Sequence, residues 1–210
     1  MIAADRLSKS FSGRPLFADI SFTAARGLVA VAGSNGSGKT TLLKILAGLM
    51  RPTAGRVRIE PEAGPQLTPA ERRLAVGWAG PDLALYGELT AEENLRFFRT
   101  AGGRNTSPQE IRRRLAEVGL AEEAMGRRVE QYSTGMKQRL RIAFACLFDP
   151  AVLVLDEPMI GLDPEGRETV ARSIAAARTS GTVILASNDE RDFVEPEQRI
   201  ELGKAGSRES

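Results

Sequence analysis

Three mainly apolar runs divide the chain. They cover residues 28–32, 151–155 and 182–187, and a glycine or polar residues follow each run. A continuous apolar run is typical of a strand that is covered on both faces in a parallel sheet. Open α/β sheets bind ligands at the carboxyl ends of such strands. The pattern therefore predicts an α/β fold with a site at that edge.

Shorter patterns of β-forming residues between turn signals predict further strands on either side of the three runs. The predicted strands cover residues 2–7, 20–23, 57–59, 74–79 and 198–202, with a turn at 11–15.

Helix signals fill the intervals between the predicted strands. Four leucines, the last of them Leu49, recur at three-to-four-residue spacing and give the segment after residue 39 one apolar face. Ser133 can cap a helix that runs to about residue 149, and Asp163-Pro164 opens another through about residue 178. The last residues, 203–210, are expected to fray.

Capping boxes, in which Thr or Ser is followed three residues later by Glu, predict three more helices. They begin at Thr68, Thr90 and Ser107. The second and third should run to about residues 101 and 118, where glycines follow. The arginines at 112–114 are most simply a solvated helix face, although an acidic partner or lipid headgroups remain an alternative.

No strand pattern interrupts residues 83–130. We therefore expect one domain over 1–210, in which a helical subdomain of about 81–130 is inserted into a core formed by 1–80 and 131–205.

Composition excludes several classes of protein. The chain has 210 residues with a net charge of +2, so nucleic acid is not an expected partner. Cys146 is the only cysteine and is predicted to be a packed thiol. No apolar stretch is long enough to span a bilayer, and the N-terminus lacks a signal-peptide core. Because there is no histidine, catalysis must use carboxylates, lysine or a bound metal.

A glycine-rich segment follows the first apolar run and fits the phosphate-binding pattern G-x-x-x-x-G-K-[ST]. Glycines let backbone N–H groups converge on phosphate oxygens, and the following helix adds its positive dipole end. The lysine would contact the β- and γ-phosphates, and the next hydroxyl would be a ligand for Mg²⁺. A structural turn is the alternative. The candidate residues are Gly33, Ser34, Asn35, Gly36, Ser37, Gly38, Lys39, Thr40 and Thr41.

Two adjacent acids, Asp156 and Glu157, follow the second apolar run. We expect Asp156 to reach Mg²⁺ through water and Glu157 to polarise an attacking water. Asn188 follows the third run and should lie beside them. Before the helix that follows residue 133, free N–H groups and the Ser133 hydroxyl could bind another phosphate, although a simple helix cap is the plainer interpretation.

The order and spacing of these segments resemble the nucleotide-binding domain of an ABC transporter, over essentially the whole chain. Residues 33–41 resemble Walker A, 132–138 the ABC signature, 152–158 Walker B and 161–163 the D-loop. The resemblance implies a P-loop NTPase core with a mostly parallel sheet, N-terminal antiparallel strands and an inserted helical subdomain. It also implies ATP and Mg²⁺ as cofactors and ATP hydrolysis as the activity.

The resemblance assigns further roles to particular residues. Phe11, which by itself would be read as a core residue, matches the aromatic that stacks on adenine. Ser133 and Gly135 would contact the γ-phosphate of ATP bound to the opposite subunit, although Thr134 and Met136 depart from the usual signature.

Two departures bear on catalysis. Pro81 stands where the family has the Q-loop glutamine, and Asn188 stands where it has the switch histidine. Proline can neither coordinate Mg²⁺ nor orient water, and a neutral amide cannot move a proton at pH 7. We expect hydrolysis to persist but to be slow.

The resemblance implies a cytoplasmic subunit, peripheral on the cell membrane. It would dimerise with a second ATP-binding subunit, as a homodimer or heterodimer, and drive an integral membrane transporter subunit. Within the family, the chain shows a weaker resemblance to the haem exporter cassette of cytochrome c maturation and to other exporter-type cassettes. A soluble ABC ATPase in nucleic-acid or cofactor assembly and a non-hydrolysing ATP-gated module are the alternatives.

Overall fold

The computed structural model describes residues 1–60, 67, 68, 71 and 74–203. Within these residues, eight strands form two sheets. The strands are β1 (Ile2–Phe11), β2 (Arg14–Ala24), β3 (Gly27–Gly33), β4 (Ala54–Ile59), β5 (Val76–Ala79), β6 (Val152–Asp156), β7 (Thr182–Ala186) and β8 (Gln198–Leu202).

The described α-helices lie between these strands. They are α1 (Lys39–Leu46), α2 (Ala91–Ala101), α3 (Pro108–Glu117), α4 (Glu122–Met125), α5 (Thr134–Ala145) and α6 (Pro164–Ser180). Short 3₁₀ turns cover Val129–Gln131 and Glu190–Asp192.

The larger sheet is parallel, with strand order β5-β6-β7-β3-β8. Its register sets the site, because Ala186 at the end of β7 pairs with Asp156 of β6 on one side and Val31 of β3 on the other. The segments that follow these three strands therefore leave the sheet at the same edge. This confirms the predicted α/β fold with a mostly parallel sheet.

Both faces of the parallel sheet are covered, as the apolar runs predicted. Along β6, Leu153 and Leu155 belong to the core shared with α5 and α6, whereas Val152 and Val154 face the core around α1. Strand side chains alternate between faces, so a continuous apolar strand fills two cores. The antiparallel sheet β2-β1-β4 completes the core around α1.

The N-terminal strands are longer than predicted. β1 continues to Phe11 and β2 begins at Arg14, which pairs with Phe11, so only Ser12 and Gly13 form the turn. The expected strand ends at 7 and 20 and the turn over 11–15 were wrong. Register shifts along the β1–β2 pair break the alternation of apolar residues, although the backbone pairing continues.

The first helix is shorter than its leucine pattern suggested. α1 ends at Leu46, and Gly48 has a φ of 74°. Leu49 is 59% exposed, so its expected place on the apolar face was wrong. The left-handed glycine turns the chain before the fourth leucine can reach the core.

The structure tests the three capping boxes separately. Thr90 and Glu93 make both hydrogen bonds of the box. Ser107 accepts from the Glu110 N–H, but the Glu110 carboxylate lies 3.5 Å from Arg99 and Arg114 instead of closing the box.

At the remaining box, Thr68 and Glu71 also make the reciprocal bonds. Residues 69, 70, 72 and 73 of that expected helix lie outside the described residues, as do 204–210 of the expected frayed tail.

The run of three arginines is not a uniform solvated face. Arg112 and Arg113 are exposed, whereas Arg114 is 7% exposed and donates to both carboxylate oxygens of Asp149 at 2.8 Å. It also donates to the Cys146 carbonyl. Arg114 therefore joins α3 to the end of the segment that follows α5. The prediction failed there because α3 packs against α5, which covers one side of it.

Candidate functional site

The loop between β3 and α1 ends at the N-terminus of a helix, where the first backbone N–H groups have no partner within the helix. Gly33 and Gly38 have φ angles of 148° and 102°, and a Cβ on them would lie 2.6 Å from the Leu202 carbonyl oxygen and 2.8 Å from the Leu16 side chain. Among the residues that the structure describes, no side chain caps α1, and the first turn of that helix holds no acidic residue. The unpaired N–H groups and the positive end of the helix dipole therefore favour an anion.

Ser37 supplies a buried hydroxyl in the middle of this loop. The residue is 2% exposed, and its Oγ has no hydrogen-bond partner within the described part of the chain. Its N–H donates to the Ser34 carbonyl at 3.1 Å and closes the turn. A buried polar atom without a partner is costly unless a ligand completes it, and a phosphate oxygen would do so.

Lys39 lies 7% exposed at the start of α1. Its Nζ donates to the Gly33 carbonyl and to Asn188 Oδ1, both at 2.7 Å, and lies 3.4 Å from the Ser34 carbonyl. The ammonium group is thus held inside the loop by neutral oxygens. Phosphate oxygens are stronger partners for an ammonium than these are, so an incoming phosphate would compete for it.

Thr40 and Asp156 provide the oxygen atoms that suit Mg²⁺. The Thr40 hydroxyl donates to Asp156 Oδ2 at 2.7 Å across the gap between α1 and β6. Burial raises the pKa of Asp156, and the Thr40 hydrogen bond and the Lys39 charge oppose that shift. Hydroxyl and carboxylate oxygens are the hard ligands that Mg²⁺ prefers, so this pair fits the ion.

Glu157 follows Asp156 with a φ of 51°, a left-handed conformation that is uncommon for a side chain of this kind. The two carboxylates have different partners, since Asp156 accepts from Thr40 and Glu157 lies beside Ser187. Burial raises the pKa of Glu157, while the Asn188 N–H and the Lys39 charge counteract the shift. Ser187 Oγ lies 3.4 Å from Glu157 Oε2. A carboxylate with a raised pKa is a stronger base than a fully solvated one, which suits a group that accepts a proton.

The signature segment forms the start of α5. Ser133 is exposed and caps the helix by accepting from the Met136 N–H at 3.2 Å. Gly135 lies against Gly161, because a Cβ at 135 would be 2.7 Å from the Gly161 carbonyl oxygen. The segment therefore packs on the loop that leads from β6 to α6.

Gln138 joins α5 to the carboxylate segment and was given no role from the sequence. It is 3% exposed, and its Nε2 donates to the carbonyls of Glu157 and Pro158 at 3.3 and 3.2 Å. A glutamine on an otherwise apolar helix face was the available signal, since buried polar side chains need partners. Ser187 was also missed, because its hydroxyl is informative only once Glu157 is known to lie beside it.

Two expected positions lie at the margins of this region. Phe11 is 50% exposed at the end of β1 with the Lys9 ammonium 4.9 Å from its ring centroid, so it is not a core residue. Pro81 is exposed after β5, and the following Asp82 pairs with Lys44 of α1 at 2.8 Å. The roles of Phe11, Ser133, Gly135, Asn188 and the loop residues remain predictions.

Family comparison settles what kind of chain carries this loop. The model of the ABC transporter family matches residues 17–160, which include Walker A, the signature and Walker B. The chain belongs to the ABC transporter family. This confirms the resemblance on which the fold and the candidate roles were based.

Curated relatives of this cassette have varied roles. A sulfate/thiosulfate import ATP-binding protein of Mesorhizobium japonicum is 34% identical over 206 residues, covering 94% of the chain and 59% of the relative. A daunorubicin resistance ATP-binding protein of Streptomyces coeruleorubidus is 36% identical over 188 residues, covering 88% and 58%. The cassette thus spans just under three fifths of the length of these two relatives, which import or confer resistance according to their names.

Solved structures agree with the fold. An ATP-binding subunit of an ABC transporter superimposes with a TM-score of 0.75 at 31% identity, covering 89% of the cassette and 79% of that chain. A bacterial ABC transporter cassette solved as a dimer gives a TM-score of 0.80 at 24% identity, covering 96% and 94%. Across the described residues, no helix has the length and apolar character needed to cross a membrane.

Proposed function

We propose that the chain binds ATP with Mg²⁺ and hydrolyses it slowly as the ATP-binding subunit of a transporter. The observation that carries the proposal is the convergence of Lys39, the Thr40–Asp156 pair and Glu157 at one sheet edge beside a loop with free N–H groups. Family membership supports the same activity.

Each of these groups has a distinct task in phosphoryl transfer. The loop N–H groups and Lys39 would hold the β- and γ-phosphates, and Thr40 and Asp156 would hold Mg²⁺, which would supply positive charge to neutralise the charge that develops. Glu157 orients a water whose oxygen bonds to the γ-phosphorus while the bond to the β-phosphate oxygen breaks. The proton of that water passes to Glu157, and ADP leaves with the electron pair of the broken bond.

The two departures from the family pattern support slow turnover. Loss of one preorganised donor at a developing anion costs about 10² to 10³ in rate. Asn188 keeps an amide donor, so we place its effect at the lower end of that range or below. Its Oδ1 already accepts from Lys39, and only the N–H₂ group remains for the γ-phosphate.

We also propose that two such subunits enclose two ATP molecules head to tail, with Ser133 and Gly135 of each completing the other's site. The exposed position of Ser133 at the start of α5 supports this arrangement, because its hydroxyl can meet a group outside the chain. The helical subdomain of about 81–130 would then carry the closing motion to a membrane subunit, and the chain would lie on the cytoplasmic face of the membrane.

An exposed aromatic group supports the position of the membrane partner. Tyr86 and Phe97 are about half exposed and pack edge to face with ring centroids 5.4 Å apart. Asn94 fixes Tyr86 by bonding its backbone N–H and carbonyl. Large aromatic side chains held rigidly at a surface are typical of protein contacts, and here they would take a helix of the membrane subunit.

A second candidate is an ATP-gated interaction module that does not hydrolyse. The hydrogen bond between Asn188 and Lys39 favours it, because the position that should assist the γ-phosphate instead holds the lysine. In this alternative, ATP binding alone would close the dimer.

Steady-state turnover of Mg-ATP by the purified chain, beside Glu157→Gln as the blank, decides between the two candidates. Turnover above the blank supports the hydrolase, whereas activity equal to the blank with ATP still bound supports the module. Lys39→Ala is the control for nucleotide binding. An ATP affinity equal to that of the wild type in this variant would contradict both candidate functions.

A further inference from the structure

A second concave region lies apart from the phosphate-binding loop, along one face of α6. The cleft has a volume of about 750 Å³, and Ile174 and Leu28 lie in its apolar floor. Its α6 wall runs from Arg167 to Arg178, positions that recur on one side of a helix and span roughly 16 Å. Val194, which is 60% exposed, forms part of the opposite wall. Volumes of this size are typical of small-molecule sites.

Most of the charged side chains that line this α6 cleft are arginines. Four arginines line it against two carboxylates, those of Glu168 and Asp192. Three of the arginines are paired, Arg167 with Asp192, Arg178 with Glu197 and Arg191 with Asp189.

Arg172 differs from the other three. Its guanidinium donates to the Thr169 hydroxyl at 2.9 Å and has no carboxylate partner within the described part of the chain. An apolar floor beside an unpaired guanidinium suits a ligand with a hydrocarbon chain and an acidic head.

The opposite wall of the α6 cleft is connected to the carboxylate of Glu157. Asp192 accepts from Arg167 at 2.7 Å through one oxygen and from Ser187 Oγ at 2.6 Å through the other. The Ser187 hydroxyl lies 3.4 Å from Glu157 Oε2. Arg167 lines the cleft, so a bound chain that displaces its guanidinium from Asp192 would change the partners of Ser187 and, through it, the position of Glu157.

We propose that the α6 cleft binds a single-chain anionic amphiphile, with its acidic head on Arg172 and its hydrocarbon chain over Ile174 and Leu28. Occupancy changes the rate of ATP hydrolysis through Asp192, Ser187 and Glu157. The second statement rests on the proposed function, whereas the first does not, because binding can be measured without nucleotide.

Isothermal titration with tetradecanoate, kept below its micelle concentration, tests the binding step. We expect saturable binding of one molecule, weakened about ten-fold or more in Arg172→Gln, because a charge-assisted hydrogen bond is lost. Arg113→Gln is the matched control, since Arg113 is also exposed on a helix but lies outside the cleft. Ala175→Phe, at an exposed lining position, should block binding by filling the cleft.

Two results would overturn the site. One is equal affinity of the wild type and Arg172→Gln for tetradecanoate, and the other is equal affinity of the wild type for tetradecanoate and neutral tetradecanol. Turnover measured with and without tetradecanoate then tests the coupling. A change in the wild type that is absent in Ala175→Phe supports it, and unchanged turnover at saturation overturns the coupling while the site stands on its binding data.

Discussion

At the scale of the residue, Asn188 is a position where one substitution should raise turnover. Asn188→His restores a side chain that can carry charge beside the γ-phosphate and cannot accept from Lys39 when protonated. We expect kcat at saturating Mg-ATP to rise, by up to about 10²-fold. The measurement is steady-state phosphate release.

Asn188→Asp is the matched control for this substitution. It keeps the size of the side chain but places a negative charge near the phosphate, so it should lower turnover. If the histidine variant turns over at the wild-type rate, the argument from the switch position is wrong.

Cys146 provides a residue-scale test of packing. Burial raises the pKa of its thiol to about 11, from an ordinary value near 9. Two pKa units reduce the thiolate fraction at pH 8 by about 100-fold, and the thiolate is the reactive species. Ellman's reagent should therefore modify the folded protein at least about 100-fold more slowly than the urea-unfolded chain. Equal rates would show that the thiol is accessible.

At the scale of the element, the buried arginine of α3 should stabilise the contact between α3 and the end of α5. Arg114→Leu removes the paired hydrogen bonds to Asp149, and we expect the free energy of unfolding to fall by roughly 1–3 kcal/mol. Urea denaturation measures this. Arg113→Leu is the matched control, because that guanidinium is 61% exposed and its pair with Glu117 should contribute less than about 1 kcal/mol.

The close approach of α5 to the D-loop at Gly135 allows a second test at the scale of the element. An added methyl group would lie 2.7 Å from the Gly161 carbonyl oxygen, so α5 and the D-loop must separate in Gly135→Ala. We expect a stability loss of about 1–3 kcal/mol together with reduced turnover. Gly126→Ala is the control, since nothing lies within 4 Å of a Cβ there. Equal stabilities of the two variants would refute the steric argument.

The same elements show how far sequence could predict structure. Strands buried on both faces, such as β6, have a continuous apolar pattern and were located to within a residue. The residues of β1 and β2 do not alternate regularly between buried and exposed. The ends of these strands therefore could not be predicted from the sequence. Arg114 is charged in sequence, and only the packing of α3 on α5 shows that it is buried.

Prediction of the candidate site from the sequence was limited in a similar way. The loop at 33–41 and the acids at 156 and 157 are encoded locally, so their neighbourhood at one sheet edge could be foreseen. Contacts between distant segments, such as Gln138 with Glu157 or Asn188 with Lys39, arise from folding and have no local pattern.

At the scale of the whole molecule, the proposed function predicts ATP-dependent association. Glu157→Gln should retain ATP and form a dimer in Mg-ATP that dissociates when nucleotide is removed, because closure needs bound triphosphate but not hydrolysis. Sedimentation velocity with and without Mg-ATP measures this. The double variant that combines Glu157→Gln with Lys39→Ala should stay monomeric. A dimer of equal strength without nucleotide would contradict ATP-driven closure.

Gln138 couples helix α5, which begins with the signature, to the backbone at Glu157. Two hydrogen bonds from a single amide group tie α5 to the carbonyls of Glu157 and Pro158. A displacement of the exposed N-terminal end of α5 would therefore be transmitted to Glu157 of the same chain. In a head-to-tail dimer, the ligand bound at one site would therefore affect the position of the Glu157 carboxylate at the other site. Hydrolysis at the two sites would then not be independent.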